Sequence, residues 1–273
     1  MNEIKLILTD IDGTILPYGK KVVPPRTIAA FHAALDAGIH VGPATGRGYT
    51  WVPPFFGNDQ DCVSTCIATN GSEVFLDGKK IRESHLDVAA LREVAARLHE
   101  VDGAGLITFD GGTPLLCEGS VEDLALAFPA YAQACRQLSH VPDTAPIKAN
   151  LFFGSLPAAA YDELIVALHE AVPALDFDIP QPGFANVMPH GSNKATAIDV
   201  LAEALGIALD QVVVFGDNGN DVSMLSHVPH SVAVANASDE ARDAARWHIG
   251  HCDDEAVAEA VEALAQGEWP FTK

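Results

Sequence analysis

The chain has 273 residues, of which 37 are acidic and 16 are basic, so its formal net charge at pH 7 is −21. Binding to nucleic acid or anionic membranes depends on lysine and arginine, and an excess of acid disfavours both. The five cysteines form no C-x-x-C pair, which argues against a zinc ribbon and a disulfide scaffold.

The first residues contain only a short apolar run before an acid, unlike a signal peptide. No stretch reaches the roughly 18 apolar residues that a membrane helix needs. We therefore predict a cytoplasmic enzyme whose partner is a small molecule, not nucleic acid or a membrane.

Apolar runs alternate with helical periodicity in the first and last parts of the chain, which favours an α/β fold with a largely parallel sheet. In chain order, these parts are predicted to contain strands at 4–9, 39–44, 63–69, 211–216 and 231–235 and helices at 25–38, 194–205 and 253–264.

The middle of the chain follows a different pattern, in which pairs of strands stand next to helices. Helices are predicted there at 87–100, 121–138 and 157–171, and strands at 106–109, 114–117, 147–153, 175–179 and 184–188. This pattern indicates an α+β insert. We predict a discontinuous, Rossmann-like core domain of residues 1–83 and 189–273 and an inserted domain of residues 84–188.

The run Asp10-Ile-Asp12-Gly-Thr follows the first predicted strand. The carboxyl ends of strands face the ligand crevice in open α/β sheets, so both carboxylates would lie there. Two carboxylates in a partly buried crevice repel each other, and a bound Mg²⁺ would relieve that repulsion. A simple strand-to-helix turn with an aspartate cap is the alternative.

A second acidic run, Gly-Asp217-Asn-Gly-Asn-Asp221, follows another buried strand. If that strand neighbours the first, Asp10, Asp12 and Asp217 converge in a number that suits Mg²⁺ with water and a phosphate. On its own the run could be an ordinary surface turn.

Two further residues could contact a phosphate. Thr45 ends the second strand, where its hydroxyl and the Gly46 amide could donate to a phosphoryl oxygen. Lys194 opens the helix before the Asp217 strand and could neutralise charge on a phosphoryl group. Individually, Thr45 could be a cap and Lys194 a solvated helix residue; their placement at matching ends of elements favours the site.

Taken together, Asp-x-Asp-Gly-Thr, Ala-Thr-Gly-Arg, a lysine and Gly-Asp-x-x-Asn-Asp resemble the four motifs of the haloacid-dehalogenase-like phosphatases. The insert between the second and third motifs is similar to the cap domain of the Cof-like branch. The resemblance spans residues 4 to about 245. It implies a Mg²⁺-dependent phosphatase that hydrolyses small soluble phosphate monoesters, such as sugar phosphates, through an aspartyl-phosphate.

The resemblance also implies a role for each matching residue. Asp10 would be the nucleophile and Asp12 the general acid and base, while Thr45 and Lys194 would hold the phosphoryl oxygens. Mg²⁺ would be bound by Asp10, the backbone carbonyl of Asp12, and Asp217. Gly46, Arg47 and Asn220 would bind the phosphate. Asp221 would support the metal and Lys194.

Three positions depart from the usual pattern of the branch. Asn186 stands where many relatives carry an acid, and Ala195 stands where glycine is common. Residues 48–56, which include Pro53-Pro54, interrupt the helix expected after the second motif.

Two other functions are compatible with these motifs. A phosphomannomutase-like enzyme would pass the phosphoryl group of the aspartyl-phosphate to a sugar, and a sugar bisphosphate would activate it. A non-enzymatic receiver-like module would also gather acids, a threonine and a lysine, but it would need neither Asp12 nor an insert of about a hundred residues.

Overall fold

The computed structural model describes residues 3–271, which form both strands and helices. The strands are, in chain order, β1 (Leu6–Thr9), β2 (His40–Pro43), β3 (Cys66–Ala68), β4 (Glu73–Leu76), β5 (Lys79–Glu83), β6 (Ala104–Asp110), β7 (Thr113–Glu118), β8 (Arg136–Gln137), β9 (Ala149–Phe153), β10 (Leu175–Gln181), β11 (Phe184–Pro189), β12 (Val212–Gly216), β13 (His230–Ala233) and β14 (Trp247–His248).

The α-helices are, in chain order, α1 (Pro25–Asp36), α2 (Val88–Leu98), α3 (Val121–Ala127), α4 (Pro129–Ala134), α5 (Tyr161–Ala171), α6 (Lys194–Leu205), α7 (Val222–His227), α8 (Asp239–Ala244) and α9 (Ala256–Ala265). Within residues 3–271, no helix is long and apolar enough to cross a membrane.

The chain divides into two units, one of the residues up to Arg82 and from Asn193 onwards, the other of Glu83–Ser192. The first unit contains a parallel sheet of order β14-β13-β12-β1-β2 and a smaller sheet of order β3-β4-β5. The second contains a mixed sheet of order β10-β11-β9-β6-β7-β8. The predicted fold class, a parallel α/β core with an α+β insert, is confirmed.

The strands β1 and β12 are buried on both faces, as their continuous apolar runs indicate. Ile7 and Val213 point towards the core that contains Phe31 of α1. Leu8 and Val214 point towards the opposite core. Each such side chain contributes about 1.5–3 kcal/mol on full burial, so the two central strands are held firmly in place.

The helix predicted at 121–138 is wrong: α3 ends at Ala127, α4 begins at Pro129, and the chain then enters β8. Proline donates no backbone hydrogen bond and disfavours helical geometry at the preceding residue. Phe128 accordingly adopts φ −138° and ψ 79°, and the helix breaks there.

The hairpin of β4 and β5 was not predicted, although its turn carries a recognisable signal. Asp77 and Gly78 connect the strands with φ values of 50° and 73°. Positive φ at both central residues is the geometry for which Asp-Gly is preferred in two-residue hairpins. Residues 48–56, in contrast, form two short 3₁₀-helices, Tyr49–Trp51 and Pro53–Phe56, in place of a longer helix.

Candidate active site

The adjacent strands β1 and β12 bring their carboxyl-terminal aspartates together. Asp10 follows β1 and Asp217 follows β12, and the strands pair in parallel with Thr9 opposite Phe215. The carboxylates of Asp10, Asp217 and Asp221 each offer an oxygen within 4.8 Å of the others. The expected convergence of Asp10 and Asp217 is therefore present, but the third carboxylate of the cluster is Asp221 and not that of Asp12.

Lys194, the first residue of α6, lies between two of these carboxylates. Its ammonium donates to Asp10 Oδ1 at 2.7 Å and to Asp221 Oδ1 at 2.6 Å. The side chain is 0% exposed, so this lysine is a buried counter-charge and not a solvated helix residue. The Asn193 side chain caps α6 by accepting a hydrogen bond from the Thr196 amide. This cap fixes the start of the helix, from which Lys194 extends.

The surroundings of the cluster shift the acid–base properties of its members. Burial raises the pKa of Asp10 well above its usual value, an effect that Lys194 partly opposes. Burial and the Asp221 carboxylate raise the pKa of Asp217 to about 7. For Lys194, burial acts to lower the pKa, but the neighbouring carboxylates outweigh it and raise the pKa overall. Three carboxylates therefore lie close together with a single buried ammonium, which contacts two of them, and a cation would correct this charge imbalance.

Asp221 is fixed by the turn that follows β12. Its second oxygen, Oδ2, accepts hydrogen bonds from the backbone amides of Asp217 at 2.9 Å and Asn218 at 3.1 Å. A β-carbon added to Gly216 would lie 2.6 Å from that of Asp221, so glycine is needed for this close approach. With both oxygens engaged, Asp221 is suited to orienting Lys194.

The Asp12 carboxylate is bound by Arg47 in a two-point contact. The arginine donates from Nε to Oδ2 at 2.8 Å and from Nη2 to Oδ1 at 2.7 Å. The guanidinium also lies 4.3 Å from the ring centroid of Phe55, which belongs to the 3₁₀-helix Pro53–Phe56. Arg47 thus holds the orientation of Asp12, which the sequence pattern did not indicate.

Thr45 and Gly46 lie where β2 ends. The Thr45 side chain is buried, and its hydroxyl oxygen accepts from the Arg47 amide at 3.2 Å. A β-carbon on Gly46 would lie 3.2 Å from the Asn70 amide group. Asn220 reaches the same neighbourhood and donates to Asn70 Oδ1 at 3.3 Å.

Some residues that support the site were not identified from the sequence. Thr14 donates from Oγ1 to Asp217 Oδ1 at 2.9 Å. Asn236 donates to the Gly13 carbonyl oxygen at 2.7 Å. Thr14 belongs to the first acidic motif, where its hydroxyl was a detectable signal, whereas no local signal connects Asn236 to Gly13 across 223 positions.

The donor set of the cluster fits a hard divalent cation. Asp10 and Asp217 offer carboxylate oxygens, the ligands that Mg²⁺ prefers. The Asp221 carboxylate already accepts hydrogen bonds from Lys194 and two backbone amides. The Asp12 carboxylate contacts Arg47, so Asp12 would offer its backbone carbonyl oxygen to the ion.

Comparison with known proteins identifies the family of the chain. A family model for haloacid dehalogenase-like hydrolases matches residues 7–261. The 5-amino-6-(5-phospho-D-ribitylamino)uracil phosphatase YbjI of Escherichia coli (strain K12) is 27% identical and aligned over 98% of each chain. The HMP-PP phosphatase of Serratia proteamaculans (strain 568) is 26% identical over 94% of each chain.

The fold is shared with a solved HAD subclass IIB sugar phosphatase, BT4131. The structures superpose with a TM-score of 0.80 at 23% identity, over 94% of this chain and 98% of that chain. The named relatives are phosphatases, which confirms the predicted enzyme class, a phosphoric monoester hydrolase. With the family model covering most of its length, the chain belongs to the haloacid dehalogenase-like hydrolases.

Proposed function

We propose that this protein is a Mg²⁺-dependent phosphatase that hydrolyses small phosphate monoesters through a phosphorylated Asp10. The observation that carries the proposal is the buried ammonium of Lys194, which contacts both Asp10 and Asp221 beside Asp217. A carboxylate nucleophile needs its negative charge, and a neighbouring ammonium favours that charged form.

In the first step, an oxygen of Asp10 attacks phosphorus while the bond to the ester oxygen breaks. Asp12 gives a proton to the departing oxygen, so the products are an alcohol and an acyl phosphate on Asp10. In the second step, Asp12 takes a proton from water as the water oxygen attacks phosphorus. The bond between phosphorus and the Asp10 oxygen breaks, which releases phosphate and restores the Asp10 carboxylate. Lys194 and Thr45 hold phosphoryl oxygens in both steps, which orients phosphorus for displacement.

The metal would be held by the Asp10 and Asp217 carboxylates and the Asp12 carbonyl. When bound, Mg²⁺ would neutralise negative charge on the phosphate and on the surrounding carboxylates. The Thr14 hydroxyl would keep Asp217 oriented towards the ion, because it donates to one oxygen of that carboxylate.

The relatives support a proposal for the substrate class. Their names specify phosphorylated small metabolites, and the solved structure with the same fold is a sugar phosphatase. We infer that this chain acts on a sugar phosphate or similar metabolite and that residues 84–188 act as a cap that selects it. Five free cysteines agree with action in the reducing cytoplasm.

Phosphate release from a panel of phosphorylated metabolites, measured with Mg²⁺, tests this function. We expect multiple turnovers with at least one small monoester and no requirement for a sugar bisphosphate. Activation by a sugar bisphosphate would favour the phosphomutase alternative. Phosphorylation of the protein without turnover across the panel would favour the receiver-like alternative and overturn the proposal.

Removing the metal should abolish activity, since a phosphate dianion would otherwise face the Asp10, Asp217 and Asp221 carboxylates together. Asp217→Ala should raise the Mg²⁺ concentration for half-maximal activity roughly tenfold or more. Loss of a residue that only supports a metal ligand already weakens metal binding by about that much, and Asp217 would bind the ion directly. Asp102→Ala, at an exposed acid of the second unit, is the control. Full turnover in excess chelator would contradict the metal assignment.

Arg47→Lys should impair the acid–base step, because lysine keeps the charge but loses the two-point contact with Asp12. We expect kcat for an alkyl phosphate to fall by roughly tenfold to a hundredfold, the cost of a misplaced catalytic group. The effect on an aryl phosphate should be smaller, since its phenolate can leave unprotonated.

The matched control is Arg26→Lys. Arg26 makes the same kind of two-point contact with Glu262, at 2.9 and 2.7 Å. Its replacement should leave both rates unchanged. Equal losses for alkyl and aryl substrates in Arg47→Lys would exclude a role through Asp12.

A further inference from the structure

A second group of side chains of the types that bind metals shares no residue with the proposed active site. His32 lies on α1, and Asp59 and Cys62 lie in the segment that leads from Phe56 to β3. His32 Nε2 is 2.7 Å from Asp59 Oδ2 and 4.0 Å from Cys62 Sγ. One ligand atom from each residue lies within 4.8 Å of the other two.

We propose that His32, Asp59 and Cys62 form a binding site for a transition-metal ion of the Zn²⁺ class. An imidazole nitrogen, a carboxylate oxygen and a thiolate sulfur suit Zn²⁺, whereas Mg²⁺ takes oxygen ligands. Zinc bonds of about 2.0 Å to nitrogen and 2.3 Å to sulfur, at a tetrahedral angle, separate those two atoms by about 3.5 Å. The side chains therefore need to move by only about half an ångström, and water would complete the coordination.

The position of the group suits exchange with solvent. The side chains of His32 and Asp59 are 42% and 29% exposed, while Cys62 is buried beneath them. Asp36 and Asp61 place further negative charge near His32, which attracts a cation.

Protons must leave when the ion binds. The Cys62 thiol would release its proton to solvent. The proton between His32 Nε2 and Asp59 would also leave to solvent, so that Nε2 can bind the ion while Nδ1 keeps its proton. The contact that now joins His32 Nε2 to Asp59 would be replaced by two bonds to the metal. No oxidation or reduction is involved.

The site would join α1 to the segment of 3₁₀-helices after the second motif. This segment already packs on α1, where the rings of Phe31 and Phe56 lie 5.7 Å apart. Phe55 of the same segment contacts Arg47, which orients Asp12. An ion bound here would therefore stabilise a segment that supports the active site without taking part in the chemistry.

Co²⁺ is a suitable probe because a Co²⁺–thiolate bond produces a charge-transfer band in the near ultraviolet. The metal-free protein is saturated with Mg²⁺ to occupy the proposed active site and is then titrated with Co²⁺. We expect a thiolate band that saturates at one Co²⁺ per chain, is displaced by Zn²⁺, and accompanies a higher midpoint of thermal unfolding.

Substitutions assign the ligands. Cys62→Ser should abolish the band, and His32→Gln and Asp59→Asn should each weaken Co²⁺ binding at least tenfold. His227→Gln is the matched control, because His227 Nε2 also lies 2.7 Å from a carboxylate, that of Asp199. Should Cys62→Ser fail to fold, the two variants at the more exposed positions still decide the assignment.

The proposal is overturned if no thiolate band forms with Co²⁺ in the millimolar range, or if the band survives Cys62→Ser. It is also overturned if His32→Gln and Asp59→Asn bind Co²⁺ as tightly as the unaltered protein. Phosphatase activity with Mg²⁺ should persist in all these variants, so the result does not depend on the proposed catalytic function.

Discussion

Asp10→Asn is expected to abolish turnover of every phosphate ester, whereas Asp12→Asn is expected to retain one burst of product from an aryl phosphate. An amide is a poor nucleophile and a weaker metal ligand than a carboxylate, so the first variant cannot form the acyl phosphate. The second keeps Asp10, Lys194 and the backbone carbonyl at position 12. It loses the group that protonates the leaving oxygen and activates water.

An aryl ester separates these two losses. Its phenolate leaves without a proton, so Asp12→Asn should release about one phenolate per enzyme and then turn over slowly. An alkyl phosphate should give no burst with the same variant. Stopped-flow absorbance at the phenolate maximum measures both phases, and the absence of a burst in Asp12→Asn as well as in Asp10→Asn would contradict the division of roles.

Lys194→Met should both inactivate and destabilise the protein. Removing this ammonium leaves the buried carboxylates of Asp10 and Asp221 without their shared partner. Breaking a buried ion pair on one side costs about 3–5 kcal/mol in the free energy of unfolding. All three tryptophans lie in the first unit, so their fluorescence during urea unfolding reports on the part of the chain that contains Lys194.

Lys5→Met is the control for this experiment. Lys5 pairs with Glu3 at 2.8 Å, but the two side chains are 36% and 75% exposed. An exposed pair contributes about 0–1 kcal/mol, so this replacement should change stability little. Combining Lys194→Met with Asp221→Asn should recover part of the lost stability, because one of the unpaired carboxylates is then neutral. Equal stability of Lys194→Met and Lys5→Met would disprove the buried counter-charge.

The sequence predicts the two central strands and the positions of the aspartates along the chain, because both depend on local patterns. Continuous apolar runs identify β1 and β12 as buried strands, and an acidic turn directly follows each. The pairing of β1 with β12 places Asp10 beside Asp217, and the predicted juxtaposition of these two carboxylates depends on that pairing alone.

Contacts between distant side chains were not predictable in the same way. The orientation of Asp12 by Arg47 depends on how the turns after β1 and β2 approach each other in space. The group of His32, Asp59 and Cys62 forms because α1 packs against a proline-containing segment of 3₁₀-helices. The break at Pro129, in contrast, carries a local signal, because a proline inside a predicted helix is expected to end or kink it.

The identity of the phosphorylated residue tests the proposed mechanism most directly. Asp12→Asn is mixed with an aryl phosphate and Mg²⁺, quenched in acid during the burst, and its peptides are analysed by mass spectrometry. The mechanism predicts one phosphoryl group on the peptide that contains Asp10, and none when Asp10→Asn is added to the same variant. A phosphoryl group on another residue, or product formation without any phosphorylated protein, would contradict it.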